Sequence, residues 1–133
     1  MNFLKFFVIL FLGFLPPLLM PQLSQAEDMQ ARQVQYFTMM QDIPVMPGLT
    51  PVEEESYVFD KPEGRILSQS ALTTSRDEKE VFAYYAKALP PLGWTRKTTR
   101  IFVRDKERLK ITAQKSEENK NALKIHFFLE PQK

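Results

Sequence analysis

His126 is the only histidine in the chain, and there is no cysteine. A side-chain nucleophile with a nearby base therefore reduces to a serine beside His126, with Ser68, Ser70 and Ser75 as the candidates. None of the three sits in a Gly-x-Ser-x-Gly elbow, the strained strand-to-helix turn that would expose its hydroxyl. A metal at His126 would need converging ligands, and Glu130, four residues along the same strand, is too far away to share an ion. Glu53-Glu54-Glu55 lies in a proline-flanked stretch with nothing obvious to desolvate it, which suits a solubilising run better than a general acid. Gly13, Gly48, Gly64 and Gly93 are scattered, so they build no phosphate-cradling loop. No cofactor is expected. Catalysis is the weaker expectation, and a small hydrolase with an atypical active site is the alternative carried forward.

One cluster has a composition that points to a ligand. Arg96, Arg100 and Arg104 recur at every fourth residue of the stretch from Thr95 to Arg104, with Trp94 and Phe102 on the same parity and Lys97 opposite. Read as a single strand, this is a candidate surface for an anionic partner, because guanidinium groups beside aromatic rings grip and stack on anions. Trp94 brings more as core than as an exposed plate, and a buried indole cannot serve as both.

The address comes from the other end. Lys5 precedes an unbroken apolar run from Phe6 to Leu15, followed by Pro16-Pro17 and then Ser24-Gln25-Ala26. The run is shorter than the roughly 20 residues that a membrane-crossing helix needs, and small residues stand at both recognition positions of a signal peptidase. The expectation is a signal peptide over 1–26, cleaved between Ala26 and Glu27, with no membrane span afterwards. An uncleaved anchor is the competing reading, since one lysine is a thin charge and the prolines sit late. An exported chain makes nucleic acid an unlikely partner; an envelope protein or an anionic envelope surface is within reach. In a Gram-negative cell the address would be the periplasm.

Net charge is small, at +2, but it is unevenly spread. Seven acids against Arg32 occupy 27–60, while sixteen bases against nine acids occupy 61–133. The favoured account is an acidic front lying across a basic back rather than a basic docking face.

The remaining patterns define the scaffold. Residues 27–55 form an acidic arm, partly irregular, in which Val34, Phe37 and Met40 suit either a short helix or an extended segment. The folded domain is expected over 56–133. Its first feature is a hairpin, Tyr57-Val58-Phe59 and Arg65-Ile66-Leu67 around Lys61-Pro62-Glu63-Gly64. A helix follows, capped by Ser75 with Glu78, carrying a stripe of Val81, Tyr84, Tyr85, Ala88, Leu89 and Leu92 with Phe82 on its shoulder. Pro90 should force Leu89 out of the helical region, and Gly93 should turn the chain back. Period two then takes over. Leu109, Ile111 and Ala113 oppose Lys110, Thr112 and Gln114; Leu123, Ile125, Phe127 and Leu129 oppose Lys124, His126, Phe128 and Glu130. The fold class is α+β: one main helix packed on an antiparallel sheet of four to six strands, paired sequentially.

The segments Ile43–Leu49, Val58–Ile66, Val81–Trp94 and Phe102–Ile111 together resemble a set of small exported bacterial proteins of uncharacterised function, in which a tyrosine-bearing helix ends in Gly-Trp before a run of antiparallel strands. The resemblance spans most of Ile43 to Leu129. It implies the same fold and export, and it brings no catalytic residues. The expected function is a non-enzymatic binding or accessory module of the envelope.

Mass spectrometry of the protein secreted or released from an expressing cell should find Glu27 at the N-terminus. Substituting Ala26→Tyr should leave the 26-residue leader attached, because a bulky side chain does not fit the small-residue position.

Overall fold

A computed structural model describes residues 33–133; the expected signal peptide lies outside them. Val34–Lys133 forms one compact unit. It contains β1 (Thr50–Lys61), β2 (Gly64–Thr73), the helix α1 (Glu78–Ala88), a 3-10 turn (Pro90–Leu92), β3 (Thr95–Arg96), β4 (Ile101–Arg104), β5 (Glu107–Lys115) and β6 (Leu123–Pro131). All six strands join one antiparallel sheet, so the class is α+β, as expected. No helix among the described residues is long and apolar enough to cross a membrane.

The strand order is β1-β2-β6-β5-β4-β3, which departs from sequential pairing at one place. After β2 the chain crosses to the far edge by way of α1, four strand spacings or roughly 19 Å away. Three short reversals then bring it back, and β6 fills the gap between β2 and β5. Two reversals are set by local chemistry. Gly64, at φ 142°, closes the turn after Pro62-Glu63, and Asp105 accepts φ 51° between β4 and β5.

The helix begins two residues later than the sequence suggests. The hydroxyl of Thr73 accepts the backbone N–H groups of Ser75 and Arg76, both at 3.2 Å, which turns the chain at the end of β2. Asp77 is then the first residue free to cap: its carboxylate accepts from Glu80 N–H at 2.7 Å, and the Glu80 carboxylate accepts from Asp77 N–H at 2.9 Å. At the other end Leu89 keeps helical angles despite Pro90. The 3-10 turn continues the spiral without needing the N–H that Pro90 lacks. Gly93, at φ 91°, ends it as expected.

One face of the sheet is roofed, and the roof has two parts. From α1 and its exit come Val81, Phe82, Tyr85 and Leu89; from the arm come Phe37, Met40, Ile43, Val45, Met46 and Leu49, all buried. The arm is therefore core, and β1 begins at Thr50, so the boundary expected at residue 56 falls inside a strand. The arm builds no helix. It holds its shape by short-range bonds, Ile43 N–H to Met40 C=O at 2.9 Å, Leu49 N–H to Met46 C=O at 3.0 Å and Val45 N–H to Gln35 C=O at 2.7 Å. Beneath the roof lie Leu67, Ala71, Leu109, Ile111, Ile125, Phe127 and Leu129, the parity expected for β5 and β6.

Phe127 sits under the seam, its ring centroid 4.7 Å from Phe37 and 5.2 Å from Tyr85. Across the seam the Tyr85 hydroxyl donates to Pro44 C=O at 2.9 Å and accepts from Met46 N–H at 3.3 Å. Burial pushes this phenol well above its ordinary pKa, so it stays protonated and a donor at neutral pH. Substituting Tyr85→Phe keeps the ring but leaves a buried carbonyl and a buried N–H without partners, and should destabilise the fold by about 1–3 kcal/mol. In a domain of this size that should lower the thermal midpoint by roughly 4–8 °C per kcal/mol, readable by circular dichroism.

Candidate functional site

The arginine stretch is a hairpin and not one strand. Thr98 makes the turn: its hydroxyl accepts from Arg100 N–H and Ile101 N–H, both at 3.1 Å, while Lys97 N–H donates to Ile101 C=O at 2.8 Å. Four-residue spacing within a strand therefore does not align the three guanidinium groups. Arg96, on β3, turns back to Thr98 C=O at 3.2 Å. Arg100 pairs with Glu78 at 2.8 Å and lies over the Phe82 ring at 5.3 Å. Arg104 lies over the Trp94 ring at 4.3 Å, pairs with Asp42 of the arm and approaches Glu107 at 3.7 Å. Two of the three are thus matched to carboxylates and fasten the roof to the sheet. Trp94, 2 % exposed, belongs to the core.

A different cluster lies on the unroofed face, of which sequence reading named only the serines and His126. Because β6 enters between β2 and β5, Ser70, His126 and Thr112 form one cross-strand row, and Leu72, Lys124 and Gln114 the next. The parity of His126 and Lys124 opposite the core was legible; the serines beside them required knowing which strand β6 would join. Ser68 Oγ lies 2.7 Å from His126 Nε2. Of the three candidate serines, Ser68 and Ser70 come to His126, while Ser75 lies beyond β2 in the turn into α1.

The outer wall is β1. Between Val52 and Tyr57 its register with β2 shifts, so that Glu53 to Ser56 stand opposite Gln69 alone. The bulge throws Glu55 over the face, where its carboxylate meets Lys124 Nζ at 2.6 Å. The hydrogen bond from Lys124, helped by Ser70, holds the Glu55 carboxyl below the usual carboxylate range, and the same contact raises the Lys124 ammonium. These residues enclose a groove of about 410 Å³, with Tyr57 on its rim. Glu130, weighed as a metal partner for His126, instead approaches Arg108 at 3.8 Å.

Chemically the groove offers paired charges, hydroxyls and an imidazole. Partial burial lowers the His126 pKa, an effect opposed by Glu55 and reinforced by Lys124 and Lys110. Neutral His126 suits either a base for Ser68 or one partner in a fixed hydrogen-bond network. The first role is hampered by position, since Ser68 is 2 % exposed in the middle of a paired strand and Glu55 is engaged by Lys124 rather than by the ring.

The lowered pKa has a sign that unfolding can read. The unfolded chain, with histidine near about 6.5, binds a proton that the folded chain refuses, so stability should rise as pH climbs through the window between the folded value and about 6.5. Denaturant midpoints across that window should show the rise, and His126→Gln should flatten it; proton NMR of the single imidazole should report a value below the free one.

Comparison with family models, with curated proteins and with solved structures returned no match for this chain.

Proposed function

We propose that the protein is an exported, non-enzymatic binding module of the cell envelope, periplasmic in a Gram-negative cell, whose uncovered sheet face receives a polar, weakly anionic glycan. The observation that carries this reading is the one-sided roof: helix and arm bury one face, while the opposite face keeps a formed groove of hydroxyl, imidazole and amide groups. Export is supported by the apolar run and the Ser24-Gln25-Ala26 site. The ligand class follows from charge. Lys124 with Glu55 and Arg108 with Glu130 cancel in pairs, leaving Lys110 as the excess charge on β5 and β6 of this face. Tyr57 and Phe128 supply apolar faces beside the donors.

The Ser68 to His126 contact of 2.7 Å favours a second reading, a small hydrolase in which Ser68 attacks and His126 takes its proton. The two readings part in one experiment. Titration of ¹⁵N-labelled protein with acidic glycan fragments from envelope preparations should shift the amides of Ser70, Thr112 and His126. Lys110→Ala should weaken that binding by about tenfold, the worth of one charge-assisted bond. An unperturbed groove at millimolar glycan would overturn the binding reading. Ester or amide turnover lost in both Ser68→Ala and His126→Ala would replace it with the hydrolase.

A further inference from the structure

The two edges of the sheet differ sharply. β3 is two residues long, whereas β1 runs for twelve and, among the described residues, has no neighbour on its outer side. A long free edge presents a row of unsatisfied N–H and C=O groups, and soluble proteins usually blunt one with lysine, proline or inward charges. β1 has such devices at its flanks, Pro51, the bulge at Glu53–Ser56 and Lys61, but between them it carries Tyr57, Val58 and Phe59 in succession, 51 %, 45 % and 57 % exposed. Charge is confined to the flanks, Glu53 to Glu55 before this triplet and Asp60-Lys61 after it.

That arrangement is self-complementary. Lys61 and Gly64 close a two-residue turn, so the ladder bonds to β2 fall at Lys61, Phe59 and Tyr57, and the N–H and C=O groups of Val58 and Asp60 point outward. If a second β1 is laid antiparallel on this edge with Val58 opposite Val58, the outward groups of the two strands are in phase. Tyr57 then faces Phe59 of the other copy, while Lys61 of each copy comes beside the bulge of the other, whose Glu55 is already held by Lys124 at 2.6 Å. On the unroofed side this gives two aromatic cross-strand pairs around the twofold axis, with each Lys61 set against the acidic Glu53–Glu55 run of the other copy. Lys61 has no carboxylate partner within the described residues and rests 5.9 Å from the Phe59 ring. Shifting the register by one residue either way breaks the aromatic match: one way Tyr57 meets Val58, and the other way Tyr57 meets Asp60.

We infer that β1 is the interface of a homodimer, in which two six-stranded sheets join edge to edge around Val58 and become one twelve-stranded sheet. The regular part of the contact is Tyr57–Phe59, three residues per strand, with Lys61 at each flank, so the association is small and belongs in the micromolar range. Because Tyr57 is on the rim of the groove, the second copy's Phe59 extends that rim across the axis. The inference rests on the edge alone and holds whichever ligand the groove takes.

Sedimentation velocity of the mature chain from about 1 to 500 µM should show a shift from monomer to dimer. Val58→Pro should hold the protein monomeric with its circular dichroism unchanged, since the missing N–H is one that points to solvent. Lys61→Glu should raise the dissociation constant about tenfold by setting an anion against the Glu53–Glu55 run of the other copy. The chain has no cysteine, so Val58→Cys is a clean reporter. Mild oxidation should link two copies, as directly opposed Cα atoms near 5.5 Å lie within disulfide reach. A monomer throughout that range, or a dimer that neither Val58→Pro nor Lys61→Glu weakens, would overturn the proposal.

Discussion

The phenol of Tyr85 is where the two halves of the roof meet. A sheet with one apolar face has to cover it, and an eleven-residue helix, about 16 Å long, cannot cover six strands. The arm supplies the missing area, but its prolines deny it regular structure of its own. What fixes it in place is the hydroxyl on the helix, which satisfies one carbonyl and one N–H of the arm directly above Phe127. The remaining core follows from that junction. With the arm held down, Phe37 reaches Phe127, and Asp42 reaches Arg104.

The charges form a second fastening at the periphery. Asp42 with Arg104 and Glu55 with Lys124 each join the acidic front of the chain to its basic back, the relation suggested by the uneven charge distribution. These pairs are partly exposed and contribute modestly as energies. Their larger effect is positional, since one places the arm and the other places the wall of the groove. Arg104, stacked on Trp94 as well, shows why an arginine beside an aromatic ring is ambiguous in a sequence: the same contact serves a ligand or a structural clamp.

Local chemistry was legible and long-range order was not. The strands of period two, the turn at Gly64 and the reversal at Gly93 are each encoded by a few neighbouring residues, and each stands where the pattern puts it; of the expected helical stripe Val81, Tyr85 and Leu89 are buried, whereas Leu92, carried onto the 3-10 turn, is exposed. The cap moved from Ser75 to Asp77 because Thr73, outside the motif, had already claimed the intervening N–H groups. The arm was misread for a related reason: proline and glycine forbid regular structure there but say nothing against burial. The groove was illegible because it depends on β6 lying beside β2, a pairing between residues some sixty positions apart, such as Ser68 with Phe128. Arg96, Arg100 and Arg104 looked aligned because a threonine-made turn carries no glycine or proline to announce it.

That same placement of β6 governs when the molecule can become a molecule. The strand at the heart of the sheet is synthesised last, so a nascent chain lacking it holds two separate pieces, β1 with β2 and β5 with β4, and has no Phe127 for the roof to rest upon. Folding must therefore wait for the C-terminus and bring together segments distant in sequence, which makes it slow compared with local helix formation. Were the chain exported as proposed, this delay would be an asset: the roofed sheet cannot close into a shape too thick for a channel before β6 arrives.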